Sequence, residues 1–142
     1  MVDSQLRPEG VTDPAVVEAM AVIAREDFLP EAVRPLAYAD RAIAIGDGRF
    51  LPPSAMLGQL LSRMAPEAGQ RALVVGAGTG YSSAVLARIG LEVVALESSA
   101  ALAARARDLG INVVEGPLEH DSEPAPPAPP DSDDVAPLSF AY

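Results

Sequence analysis

Residues 71–97, RALVVGAGTGYSSAVLARIGLEVVALE, constrain the fold of this chain more than any other stretch. Ala72, Leu73, Val74 and Val75 form a short apolar run of the kind expected in a parallel strand covered on both faces, where the alternation of a surface strand is lost. Gly76, Gly78 and Gly80 interrupt the run. Tyr81, Val85, Leu86 and Ile89 then recur at helical spacing, and Gly90 is placed to end that helix. A second apolar run over residues 91–96 closes on Glu97. The order predicted is strand, glycine turn, helix, strand.

A glycine turn between a buried strand and a helix lets a ligand approach the backbone closely and turns the helix amides toward it. An acid at the tip of the following strand, 21 positions after Gly76, stands where folds of this kind hold ribose hydroxyls. Together these features predict a nucleoside-containing cofactor. A tight structural turn would look the same in isolation, but the flanking strands and Glu97 in register favour the site. Dinucleotide sites require G-x-G-x-x-G/A, with a small last residue for close packing of helix on strand. Here the third glycine comes one residue early and Tyr81 fills the position that should be small. This spacing favours S-adenosylmethionine over NAD.

The remaining composition narrows the setting. With 142 residues the chain is one domain at most, long enough for a core. There is no cysteine, so disulfides and thiolate metal sites are excluded, and no metal is expected. No leader or long apolar run is apparent, which makes the cytoplasm the expected compartment and no membrane partner expected. The net charge of −10 disfavours nucleic acid. Six of the twenty acids (Glu119, Asp121, Glu123, Asp131, Asp133 and Asp134) lie in residues 119–142, which leaves fourteen acids against ten arginines in the rest.

Thr12-Asp13-Pro14 is a helix start, with a capping side chain ahead of a proline, and Val16, Val17, Met20 and Ile23 follow as an apolar stripe that suits core packing. Phe28, Pro30 and Pro35 punctuate an irregular connection. Residues 36–45 contain room for a short extended piece, and Gly46, Asp47 and Gly48 read as a loop. Met56, Leu57, Leu60, Leu61 and Met64 form the core stripe of a helix over residues 55–64. Ser98 or Ser99 caps a further helix to Leu109, and residues 111–114 read as a third buried strand.

Several of these segments together resemble one family. Met1-Val2-Asp3-Ser4-Gln5-Leu6-Arg7, Arg25-Glu26-Asp27-Phe28-Leu29-Pro30, Leu36-Ala37-Tyr38-Ala39-Asp40-Arg41 and Ile45-Gly46-Asp47-Gly48 are similar to successive N-terminal signatures of the protein-L-isoaspartate O-methyltransferases. Residues 73–87, LVVGAGTGYSSAVLA, resemble that family's cofactor motif, in which tyrosine follows the third glycine. The likeness extends over about residues 1–116. It implies an α/β, Rossmann-like S-adenosylmethionine methyltransferase fold, here incomplete, with about three parallel strands, their helices and a helical N-terminal extension. Residues 1–64 would form the extension and substrate-loop region, residues 65–118 a partial cofactor-binding unit, and residues 119–142 a tail.

The resemblance also implies an activity, methyl transfer from S-adenosylmethionine to isoaspartyl carboxylates of damaged proteins or peptides. Gly76, Ala77, Gly78, Thr79, Gly80 and Tyr81 would then line the methionine end of the cofactor, and Glu97 would hold its ribose. A carboxylate with an ordinary value near ~4 is ionised at neutral pH, so its attack on a sulfonium methyl calls for positioning and not for a general base. His120, the only histidine, is expected to be a solvated bystander. The pattern departs from the family at three places. The substrate loop, approximately G-x-T-I-S-x-P in the family, has Phe50 for the threonine, Pro52 for the serine and Ser54 for the proline. Val74 stands where an acid is usual, and Glu115-Gly116-Pro117 replaces a G-D pair whose acid would accept from the adenine amino group. Ser54 is thus the one candidate for a replacement hydroxyl, although it also suits a helix start. The alternative reading is a cofactor-binding or interaction domain of the same family without turnover.

The acidic, proline-rich residues 119–142 read as a disordered or polyproline-like tail. Strand cues end after the third strand, which predicts an unpaired sheet edge and suggests a fragment, or a reading frame lost near Pro117.

Overall fold

The computed structural model describes residues 1–118 and the backbone of residues 135–139. A π-helical turn at Val2–Leu6 opens the chain and buries Leu6. Helix α1 (Pro14–Val22) starts as the sequence predicts, with the Asp13 carboxylate accepting from the amides of Ala15 and Val16 and a proline in the first turn. Val16 and Met20 of its stripe are buried, whereas Val17 and Ile23 are half-buried. Two 3-10 turns follow, Arg25–Phe28 and Glu31–Leu36.

The short extended piece and the loop after it form the first strand and the turn of a hairpin, whose second strand the sequence did not suggest. Strand β1 (Ile43–Gly46) pairs antiparallel with β2 (Arg49–Leu51), Ile43 opposite Leu51 and Ala44 opposite Phe50. Asp47 (φ 51°) and Gly48 (φ 69°) between them are both left-handed, the conformation that two-residue hairpin turns demand. Helix α2 (Ser54–Met64) buries Leu57 and Leu61. Met56, expected in the core stripe, is instead exposed, because it falls on the helix face turned away from α1 and the N-terminal turn.

The glycine unit has the predicted order of elements, but its first strand is not covered on both faces: Ala72 and Val74 are buried whereas Leu73 between them is exposed, the alternation of a strand with one face on the core. Strand β3 (Arg71–Val75) leads through the turn into α3 (Tyr81–Ile89), Gly90 ends that helix in a left-handed conformation, and β4 (Glu92–Glu97) lies parallel to β3. Helix α4 (Ala100–Asp108) is capped by Ser99, whose hydroxyl accepts from the Leu102 amide, and β5 (Val113–Glu115) pairs parallel with β4. Ala72, Val74, Ala95 and Glu97 are buried, as are Val85, Leu86, Leu102, Ala103 and Ala106 of the two helices.

One expectation is corrected. Among the described residues the sheet has four strands in the order β5-β4-β3-β6, the fourth being β6 (Val135–Ser139), which pairs parallel with the far edge of β3. The edge expected to be open is therefore paired, by five residues of the segment read as a tail. Those five contain no charge, and Pro137 is tolerated because β6 has, among the described residues, no second neighbour to which it would have to donate. The tail expectation for residues 119–134 and 140–142, His120 included, lies outside the described residues. No helix among the described residues is long and apolar enough to cross a membrane.

Candidate functional site

The sheet order reverses at β3. One connection runs from β3 toward β4 and β5, and the other neighbour is the late strand β6. At such a switch point the loops diverge and leave a crevice beyond the strand's carboxyl end. The glycine turn fills that place in this chain. Gly76 (φ 71°), Gly78 (φ 59°) and Gly80 (φ 95°) are all left-handed. Gly80 also has no room for a side chain, since a Cβ there would sit 2.6 Å from Ile111 Cγ1. The third glycine thus performs the close-packing role that dinucleotide sites give to a residue one position later.

The hydrogen bonding of the turn is mostly internal. The amides of Gly76 and Ala77 both donate to Leu96 O (2.8 and 3.1 Å), and Gly80 N donates to Ala77 O (3.0 Å). Gly78 N donates to Glu97 Oε1 at 2.8 Å. A pyrophosphate would need such amides for itself. With four of them committed within the protein, the turn suits a ligand held by hydroxyls and packing, which strengthens the sequence argument against a dinucleotide.

Glu97, fully buried at the tip of β4, joins the turn to the hairpin. Its Oε2 accepts from Ser99 N (2.7 Å) and from Arg49 Nη1 (3.1 Å), and Arg49 Nη2 continues to Gly76 O (2.9 Å). At the hairpin tip the Ser99 hydroxyl donates to Asp47 Oδ2. Sequence reasoning missed Arg49 entirely. The one cue that could have found it is Asp47-Gly48, a turn dipeptide that predicts a hairpin and so a strand immediately after it.

At its other end the turn is packed against the N-terminal extension. Tyr81 is 1% exposed, and its ring meets Phe28 edge-on at 5.5 Å between centroids. Arg25, fully buried, lies 5.3 Å from the Tyr81 ring centre, donates from Nε to Ala37 O at 2.6 Å, and donates from Nη2 to Pro52 O. Burial pushes the Tyr81 phenol up and the Arg25 guanidinium down from their ordinary values. Thr79 donates its hydroxyl to Phe28 O at 2.7 Å, so that hydroxyl serves the fold. The connection read as irregular therefore carries a second arginine that braces the turn.

A cleft above the turn is lined by Ile45, Arg49 and Pro52 of the hairpin region and by Gly76, Gly78 and Tyr81. Ala77 and Thr79 line it too, whereas Gly80 and Glu97 do not reach its surface. Ser54 is buried at the start of α2 and is not part of the lining, and its hydroxyl has no hydrogen-bond partner among the described residues. Glu115 is exposed and lies 3.9 Å from Arg107 in an ion pair.

The family model for protein-L-isoaspartate(D-aspartate) O-methyltransferase matches residues 1–112. A protein-L-isoaspartate O-methyltransferase of Methylorubrum extorquens (strain PA1) is 44% identical over 117 residues, covering 80% of this chain and 51% of its own length. Protein-L-isoaspartate O-methyltransferase 1 of Rhodopseudomonas palustris (strain HaA2) is 42% identical over 106 residues, 75% of this chain and 43% of the relative. The chain thus spans about half the length of these curated relatives. Among solved structures, a protein-L-isoaspartate O-methyltransferase superposes with a TM-score of 0.66 at 28% identity, over 78% of this chain and 38% of that one. A Plasmodium falciparum structure described as a putative member, in complex with S-adenosyl-L-homocysteine, gives 0.62 at 23% identity over 72% and 50%, a likeness of fold.

Proposed function

The chain belongs to the protein-L-isoaspartate O-methyltransferase family, and from that premise we propose that it binds S-adenosylmethionine and takes part in methyl transfer to isoaspartyl carboxylates of damaged proteins or peptides in the cytoplasm. The observation that carries the proposal is the fully buried carboxylate of Glu97, connected through Gly78 N to a glycine turn at the sheet's switch point. Its carboxylate accepts from two backbone amides and from Arg49, and the arginine is the donor whose place ribose hydroxyls would take.

The residues fit such a cofactor at two of its three parts. Gly76, Ala77, Gly78, Thr79 and Tyr81, which line the cleft, would face its methionine end and Glu97 its ribose, whereas Gly80, packed on Ile111, would shape the turn without meeting the ligand. The adenine end is poorer, since Pro117 stands where the family has an accepting acid. When bound, the cofactor supplies an activated methyl on a sulfonium. A substrate carboxylate, ionised at neutral pH, would accept that methyl with no proton to move. What the chain must contribute is alignment and exclusion of water. The hairpin, with Phe50, Leu51 and Pro52 against the cleft, is placed to do both.

One observation favours a second reading, binding without turnover. The hairpin presents Pro52 to the cleft where the family has a serine, and the Ser54 hydroxyl is buried away from the lining. Calorimetry with S-adenosylmethionine, followed by transfer of a labelled methyl to an isoaspartyl peptide, separates the two. Transfer excludes the second reading, binding alone excludes the first, and no binding excludes both.

A further inference from the structure

We infer that Arg49 is a latch: it holds the β1–β2 hairpin closed on the nucleoside end of the site, and a ligand must displace it to bind. The inference rests on Glu97 being the ribose acceptor. Both terminal nitrogens of the guanidinium are spent on the site itself, one on Glu97 Oε2 at 3.1 Å and the other on Gly76 O at 2.9 Å. The hairpin tip is fastened at the same place, because Asp47 accepts from the hydroxyl of Ser99, two residues beyond Glu97.

Donor arithmetic then decides what must move. A carboxylate offers about four acceptor positions, and Glu97 already receives three donors: Gly78 N, Ser99 N and Arg49 Nη1. A ribose diol brings two hydroxyls, one more than the position left. The two amides are fixed by the glycine turn and by the start of α4, so Arg49 is the donor that can leave. Space leads to the same conclusion. Glu97 is fully buried and does not reach the lining of the cleft, so a ribose can meet its carboxylate only after the hairpin side chain above it moves. The piece that would swing is small, two strands of four and three residues joined by a two-residue turn, a unit with little stability of its own.

A closed latch lowers apparent affinity by the fraction of molecules that are open, so weakening it strengthens binding. The test is calorimetric titration of the full chain with S-adenosylhomocysteine, which lacks the sulfonium charge and has no net charge at neutral pH, so that a gain does not come from relieving repulsion between Arg49 and a sulfonium. Arg49→Gln should bind about tenfold more tightly than the wild type and associate faster. Asp47→Ala, which frees the tip without touching Glu97, should shift affinity in the same direction by less. Equal or weaker binding by Arg49→Gln, with an unchanged circular dichroism spectrum, overturns the latch. Should that variant fail to fold, equal or weaker binding by Asp47→Ala overturns it. Binding by neither the wild type nor either variant overturns the cofactor reading along with the latch.

Discussion

An arginine braces each end of the glycine turn, and the two work by different physics. At the Tyr81 end Arg25 is sealed in. It donates to two backbone carbonyls, lies along an aromatic ring that is itself wedged against Phe28, and ties the N-terminal extension to the residue before Pro53. At the Glu97 end Arg49 keeps 13% of its side chain exposed and donates to a carboxylate and a carbonyl across the rim of a cleft. The first arrangement is packing, and removing a part of it leaves a void and stranded donors. The second is a set of polar partners that a ligand bearing hydroxyls can replace one for one. The same turn is thus fixed at one end and exchangeable at the other, as a site needs if it must both hold its shape and admit a ligand.

The contrast can be broken by substitution. Tyr81→Ala should cost the most, about 3–5 kcal/mol in denaturant-induced unfolding, because it removes a fully buried ring and uncovers Arg25. A loss below about 1 kcal/mol would mean that this end is not held by packing. Gly80→Ala comes next, at about 2–3 kcal/mol, since it combines a left-handed backbone with a Cβ 2.6 Å from the branched Ile111 side chain. Gly78→Ala should cost about half as much, because the obstacle is only the end of the Ile45 chain at 2.8 Å. Arg49→Gln should cost about 1–2 kcal/mol in the free protein, the value of a hydrogen bond to a charged group with two amide donors still in place on Glu97. A cost equal to that of Tyr81→Ala would erase the difference between the two ends.

The smallest effect lies at the periphery of the packed end. Tyr38 donates its hydroxyl to Glu26, and burial together with that bond pushes its phenol up to about 12, while the same bond holds Glu26 below its ordinary value. The folded phenol titrates above its unfolded value, so the contribution of Tyr38 is intact below about pH 10 and is lost as the pH rises toward 12. Tyr38 is 43% exposed, and solvent screening limits the effect. Tyr38→Phe should therefore be less stable by under about 1 kcal/mol at neutral pH, with the difference disappearing in alkaline unfolding measurements.

What was legible in the sequence follows from what leaves a local signal. The strand–turn–helix–strand unit could be read because buried strands and helices have different apolar periods and because glycines mark left-handed turns. Glu97 could be read because a strand tip is a defined place. Neither arginine announced itself. Arg25 sits in a segment broken by Phe28 and Pro30, with no periodicity to say that it points inward, and its burial depends on an aromatic residue 56 positions away. Arg49 follows a turn, and its partners Gly76 and Glu97 are distant in sequence. Met56 satisfied the helical stripe and still lies on the surface, because periodicity identifies a face of a helix without fixing where its edge falls. Strand β6 was hidden by the acidic, proline-rich residues before it and by Pro137 within it. Only the unpaired edge of β3, a tertiary feature, makes that short run useful as a strand.

Hydrogen exchange of the full chain with and without S-adenosylhomocysteine tests the account most directly. The account predicts altered protection in the hairpin over residues 43–51, in the turn over 76–80 and at 97–99, with residues 25–29 unchanged. No change on adding the ligand, or change confined to residues 25–29 and the Tyr81 side, would contradict it.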